Sequence, residues 1–230
     1  MKYAIPILCV ILLLCAGCKK EEPPPPPPEK PPPPTADELY KEIRDGLAAV
    51  YAAEPRDAVI ELAAVAQVLQ AFPGLVQKCG LPDNKANGDQ ALEKVRADFD
   101  RMLKDTPDLG KWRFVRCVLD LYKLLPGGQE KFKKYATLDH RTDLMLARPQ
   151  VRSTGFVEVD GELYAFLRVI ERDSGETDAI RVREGEEFYQ DINGNNVLKL
   201  IRIIGNKEKL EIEYLPLADT WEIIGAGKSK

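Results

Sequence analysis

A single histidine and a surplus of carboxylates bound the chemistry this 230-residue chain can do. With His140 alone, no multi-histidine metal site can be built. In Leu138-Asp139-His140-Arg141 it reads as a solvated residue at a helix start rather than as a base. Cys79 and Cys117 lack the C-x-x-C spacing of a zinc or redox site. Asp191-Ile192-Asn193-Gly194-Asn195-Asn196 approaches a calcium-loop pattern. It fails where Asn196 replaces the glycine and Arg202 the closing glutamate, so a tight turn is the simpler reading. Pro82 to Asp89 is polar enough to hold a cation, but Lys85 occupies a ligand slot. Gly127-Gly128 has no Gly-Lys-Ser/Thr after it, so it reads as a helix stop and not a phosphate loop. Glu184-Gly185-Glu186-Glu187 reads as a solvated turn, or alternatively as a face for a basic partner. The Trp112 to Tyr122 stripe has the spacing of a helix core. These residues predict no enzyme, no metal and no cofactor.

The N-terminus carries a different chemistry. Lys2 is followed by an apolar run from Ala4 to Leu14, too short to span a bilayer, which takes about 20 residues, but of signal-peptide length. It ends in Leu14-Cys15-Ala16-Gly17-Cys18, and two small residues before a cysteine let a peptidase reach the backbone. The pattern resembles the bacterial lipobox, which implies acylation of Cys18, although Cys15 stands where leucine is usual three places earlier. The alternative is an uncleaved anchor or an ordinary secretory signal. Pro23 to Pro34 contains ten prolines, and such a stretch prefers extended polyproline II. From Cys18 to Thr35 this predicts a semi-rigid stalk of roughly 50 Å. The organisation expected is a signal peptide over 1–17, an acylated tether over 18–35, a helical domain over 36–148, a β domain over 149–226 and a tail over 227–230.

The elements that follow must carry any function. The chain is 44% hydrophobic and 30% charged with a net charge of −4, ordinary for a globular protein and without a basic segment for nucleic acid. Thr35-Ala36-Asp37-Glu38 is a capping box, and Leu39, Ile43, Leu47, Val50 and Tyr51 recur behind it at helical spacing. Pro55 suits a first helical position. Val59 to Phe72 is apolar on most faces and is expected to be buried, with Pro73-Gly74 ending it and a loop over 80–89. Two more helices carry Leu92 to Leu103 and Trp112 to Leu125, and shorter ones fill 129–147 with Asp139 as an N-cap. After Pro149 the period becomes two. Phe156 to Val159, Asp160-Gly161 and Leu163 to Ile170 read as a hairpin. Further strands are expected at 179–182, 197–204, 210–214 and 221–224. The fold class is therefore α+β, segregated, a helical bundle followed by a small antiparallel β-sandwich or barrel. Cys79 and Cys117 are either a disulfide, worth roughly 4 kcal/mol on a loop-entropy estimate, or two buried thiols.

Thr154-Gly155-Phe156, Leu163 to Leu167, Ile180 to Phe188, Val197 to Ile203, Lys209 to Glu213 and Trp221-Glu222 run in a familiar order. The stretch resembles the periplasmic domain shared by PilP-type pilus-assembly lipoproteins and GspC-type secretion proteins. Gly185 falls in that family's turn slot, whereas the segment Tyr189 to Asn196 is longer than the family's and the helical region has no counterpart there. The resemblance implies a non-enzymatic, lipid-anchored periplasmic adaptor in type IV pilus assembly or type II secretion. Its implied partners are a secretin and inner-membrane assembly proteins. The alternative is an envelope lipoprotein that binds a ligand, a cell-wall polymer or an unrelated protein through its helical domain. Which membrane holds Cys18 stays open, because Lys19 in place of Asp favours the outer one while PilP-type proteins sit on the inner one.

Overall fold

The structure, a computed structural model, describes residues 32–54 and 58–226. Cys18, the signal peptide, most of the proline tether, Pro55 and the tail lie outside the described residues. From Pro34 onward the described residues fall into one compact unit, with helices first and two antiparallel sheets after them. The segregated α+β class is thus the observed one.

Helix α1 (Ala36–Ala53) opens on the expected capping box. The Glu38 backbone N–H donates to the Thr35 hydroxyl at 3.3 Å, and the Thr35 N–H donates to the Glu38 carboxylate at 2.8 Å. Its Leu39, Ile43, Leu47 and Val50 are buried. Helix α2 (Ala58–Cys79) runs straight through Pro73-Gly74, contrary to the stop expected there. Pro73 is exposed, so water can reach the carbonyl that its missing N–H leaves unpaired. The helix is also not buried. Val59–Cys79 is a largely apolar span of 21 residues with hydropathy 1.7, yet only 11% of its 18-residue apolar window is inside the protein. By length and composition it could cross a membrane. In this fold it lies along the side of the bundle with Leu62, Ala63 and Ala66 outward.

The expected loop over 80–89 is mostly helical. A 3₁₀ turn, Pro82–Asn84, leads into α3 (Lys85–Asp105). Asn84 is buried and its side-chain amide donates to the Lys78 carbonyl at 3.0 Å, which locks the corner between α2 and α3. A second 3₁₀ turn, Pro107–Leu109, precedes α4 (Trp112–Leu124), the central helix, nine of whose 13 residues are buried. Phe72, Phe99 and Tyr122 stack through the middle at centroid separations of 6.2 and 6.3 Å. Two short helices close the bundle, α5 (Gly128–Phe132) and α6 (Ala136–Ala147). Asp139 is no N-cap. It lies one turn inside α6 and accepts from Arg116 Nη1 at 2.6 Å. Its pull on a guanidinium reaching from α4 outcompetes local capping.

Cys79 and Cys117 are free thiols, both buried, so the disulfide considered for them is not formed. Cys117 is fully enclosed by the α4 core and behaves as a small hydrophobe. Burial pushes its thiol up to about 12, and burial also raises Cys79. Thiolate is the reactive form. Peptides carrying Cys79 and Cys117 are therefore expected to stay unlabelled by maleimide in the native protein and to label fully in denaturant. A Cys79–Cys117 cross-linked peptide recovered under non-reducing digestion would contradict this.

The β region begins where the sequence places it, after Pro149, but its first strand starts at Gln150 rather than at Phe156. Strand β1 (Gln150–Val159) pairs with β2 (Glu162–Ile170) through the Asp160-Gly161 turn, where φ is 54° and 81°, the left-handed pair that a two-residue hairpin loop needs. Strand β3 (Thr177–Arg183) completes the first sheet in the order β1-β2-β3. The second sheet runs β4-β5-β6-β7: β4 (Glu187–Gln190), β5 (Asn196–Ile204), β6 (Lys209–Tyr214) and β7 (Asp219–Ile224). Both sheets bury their inner faces in one core, with Ala165, Leu167 and Val182 from the first against Leu198, Leu200 and Ile212 from the second. β3 lies beside β4 and β1 beside β7. The seven strands therefore run as a meander divided into two sheets, whose edge strands adjoin without pairing.

Candidate functional site

The residues singled out from sequence do not converge. His140 is exposed on α6. Asp191 serves its own loop: its carboxylate accepts the N–H groups of Asn193 at 2.8 Å and Asn195 at 3.0 Å. The Asn195 hydrogen bond is the largest influence holding that carboxyl below its usual range. This is the tight turn expected of it. Gly185 has φ of 81° and donates its N–H to the Leu200 carbonyl at 2.7 Å, so it is a turn glycine at the seam between the two sheets. Among the described residues no group of three His, Cys, Asp or Glu side chains is placed to hold a metal.

What does converge is a cleft of about 610 Å³ where the helices meet the sheets. The turn Pro107–Leu109 and the start of α4 form one wall. The Arg148-Pro149 link, the start of β1, and β7 form the other. Both tryptophans of the chain, Trp112 and Trp221, line it, together with Arg148, Arg152 and Arg172. Arg148 is held in place twice: Nη1 donates to Asp219 at 2.6 Å, and its guanidinium lies 4.7 Å from the Trp221 ring centroid. Arg141 similarly lies 5.4 Å from the Trp112 ring. Arg152 is exposed and has no ion pair among the described residues.

A buried charge network stands behind the cleft. Glu54, just past α1, accepts the backbone N–H groups of Arg113 at 3.0 Å and Phe114 at 2.9 Å. It thereby caps α4 from a distance, since Lys111 at the N-cap position supplies no side-chain bond. Arg113 Nε donates to Glu61 at 2.8 Å and its Nη2 pairs with Asp173. Arg172 Nη2 donates to Glu54 at 3.1 Å. Glu54, Glu61 and Arg113 are each at most about one-twentieth exposed. The network ties α1, α2 and α4 to the turn between β2 and β3 and fixes Arg172 in the cleft wall. Sequence reading missed all of it. The visible trace is Glu61, the one charge between Ala58 and Gln77. A lone carboxylate in so apolar a run must find a partner once the helix packs.

The cleft thus sets the guanidinium groups of Arg148 and Arg172, each held by a carboxylate, beside two tryptophans. No family model, curated protein or solved structure matches the chain.

Proposed function

We propose that this chain is a lipid-tethered, non-enzymatic binding module of the bacterial envelope, anchored through Cys18, that seats an acidic ligand in the cleft between its helices and sheets. The observation that carries the reading is the convergence of Trp112, Trp221, Arg148, Arg152 and Arg172 on one concavity. Aromatic faces bind flat apolar surfaces such as sugar rings, and arginine matches carboxylates with a planar fork. Soluble peptidoglycan fragments, which carry carboxylates beside sugar rings, are suitable probes. Because the only two tryptophans line the cleft, intrinsic fluorescence reads its occupancy directly. Titration should shift the emission, and Arg148→Ala should weaken binding by about tenfold, the loss of one charge-assisted contact. An emission unmoved at saturating fragment concentrations, or equal affinity in Arg148→Ala, would count against the cleft.

The second reading is the adaptor of type IV pilus assembly or type II secretion implied by the resemblance to PilP-type and GspC-type domains. The Gly185 turn favours it. It would act through strand edges that accept a partner strand. The strands β1, β3, β4 and β7 are each paired on one side only, so edges exist for it; the cleft is preferred because its arginines and tryptophans converge on one concavity. A pull-down of candidate secretin domains with the full chain separates the two readings, because only the adaptor reading expects capture.

A further inference from the structure

The outward face of the β1-β2-β3 sheet is basic and aromatic in a protein that is acidic overall. Strand alternation places Arg152, Arg168, Arg181 and Arg183 on it, around Tyr164 and Phe166. Glu162 is the single carboxylate at these outward strand positions, and it is occupied by Arg183 at 2.9 Å. The other three arginines are exposed and have no ion pair among the described residues. Arg152 and Arg168 are direct cross-strand partners. Like charges in that position destabilise a hairpin, and nothing on the face offsets them. Phe166 is 40% exposed at the centre of the group, with Arg181 opposite it on β3 and Gly155 opposite it on β1. Gly155 brings no side chain to cover the ring, and Arg181 lies 4.7 Å from the Tyr164 ring centroid. Phe166, Arg168 and Arg181 at its centre are exposed.

We infer that this sheet face docks onto the anionic headgroups of the membrane to which the chain is tethered. Charge complementarity selects an anion. The flat strand geometry and central exposed Phe166 suit a headgroup layer, where aromatic rings settle at the interface. The choice of a lipid surface over a soluble polyanion rests on the reading of Cys18 as an acylated anchor. A tether from Cys18 makes the contact intramolecular, so a weak site is enough. The cleft and this face meet at Arg152, so one docked orientation would set the position of the cleft above the bilayer.

The test compares binding of the full chain to vesicles of phosphatidylcholine alone and to vesicles containing phosphatidylglycerol. The variants are Arg168→Gln/Arg181→Gln and Phe166→Ser, none of which lines the cleft. The wild type should prefer the anionic vesicles. The double variant should lose about thirtyfold of that preference, from two arginines near an anionic surface, and high salt should abolish it. Its thermal unfolding should stay at or above wild type, because a like-charge pair is relieved. Phe166→Ser should weaken binding to both vesicle types. A preference unchanged in the double variant overturns the inference, as does a chain that binds soluble polyphosphate but ignores anionic vesicles. Membrane retention of Cys18→Ser separates the two readings: if only the anchor assignment is wrong, retention is unchanged there while the anionic preference persists, and if only the docking face is wrong, retention is lost and no preference is seen.

Discussion

Glu54→Ala is expected to destabilise the chain by about 3–5 kcal/mol, the cost of removing one partner from a buried charge cluster, and to lower its melting temperature by roughly 10 °C. Three separate losses add in the same direction. The Arg113 and Phe114 N–H groups at the start of α4 lose their acceptor in a place water does not reach. Arg172 loses its 3.1 Å partner and is left with Glu61 at 3.8 Å. The Arg113 guanidinium itself keeps Glu61 and Asp173. Glu54→Gln keeps the volume and one acceptor, and should cost about 2 kcal/mol, near that of one buried hydrogen bond left unmade. Urea unfolding followed by far-UV circular dichroism measures both. If Glu54→Ala lies within about 1 kcal/mol of wild type, Glu54 is not the cap of α4 that its geometry indicates. The variant has a second readout. Arg172 is a wall of the cleft, so the tryptophan emission of the folded variant should already differ from wild type before any ligand is added.

How much of this could be read from the residues follows from the range of the interactions. The capping box at Thr35, the 3.6-residue stripes of α1, α3 and α4, and the Asp160-Gly161 turn are local, and all three are where the sequence places them. The errors occur where a distant partner overrules a local preference. Pro73-Gly74 is a strong stop by propensity, but α2 is held against α1 and α3 on either side of it, and packing carries it through. Asp139 is a good N-cap residue claimed by Arg116, more than twenty positions away. Strand β4 is four residues long with only Phe188 buried, too short for alternation to register, and it exists because β5 offers it a ladder. The cleft is not legible in the sequence: Trp112 reads as core, and it is buried, while Trp221 reads as the start of a strand. Their meeting depends on how the helices dock against the sheets, which the Glu54–Arg113–Arg172 network decides through contacts spanning up to 118 positions. The basic sheet face is visible only once register is known. Arg152 and Arg168 look like isolated charges until pairing sets them opposite each other.

The same tension between local preference and packing gives the second large effect, in which one substitution at two helical glycines should act with opposite sign. Alanine exceeds glycine by about 1 kcal/mol in a helix interior. Gly74 in α2 has no atom within 4 Å of where a Cβ would sit, so Gly74→Ala should gain close to that amount. Gly88 lies in the first turn of α3, and there a Cβ would fall 2.7 Å from the Cys79 Cα, with the Cys79 carbonyl oxygen closer still. Both are backbone atoms and cannot rotate away. The corner is also pinned by the Asn84 amide on the Lys78 carbonyl, so α2 and α3 must separate to admit a methyl group. Overpacking of this kind costs typically 1–3 kcal/mol and more where backbone must move, which exceeds the propensity gain. Gly88→Ala should therefore lose about 2–3 kcal/mol net and loosen the seat of Cys79, exposing that thiol to maleimide while Cys117 stays protected. Loss of stability in both variants would mean that α2 is under strain at Pro73-Gly74. A gain in both would mean that the close approach of Gly88 to Cys79 relaxes freely, and that glycine is not required at the α2–α3 corner.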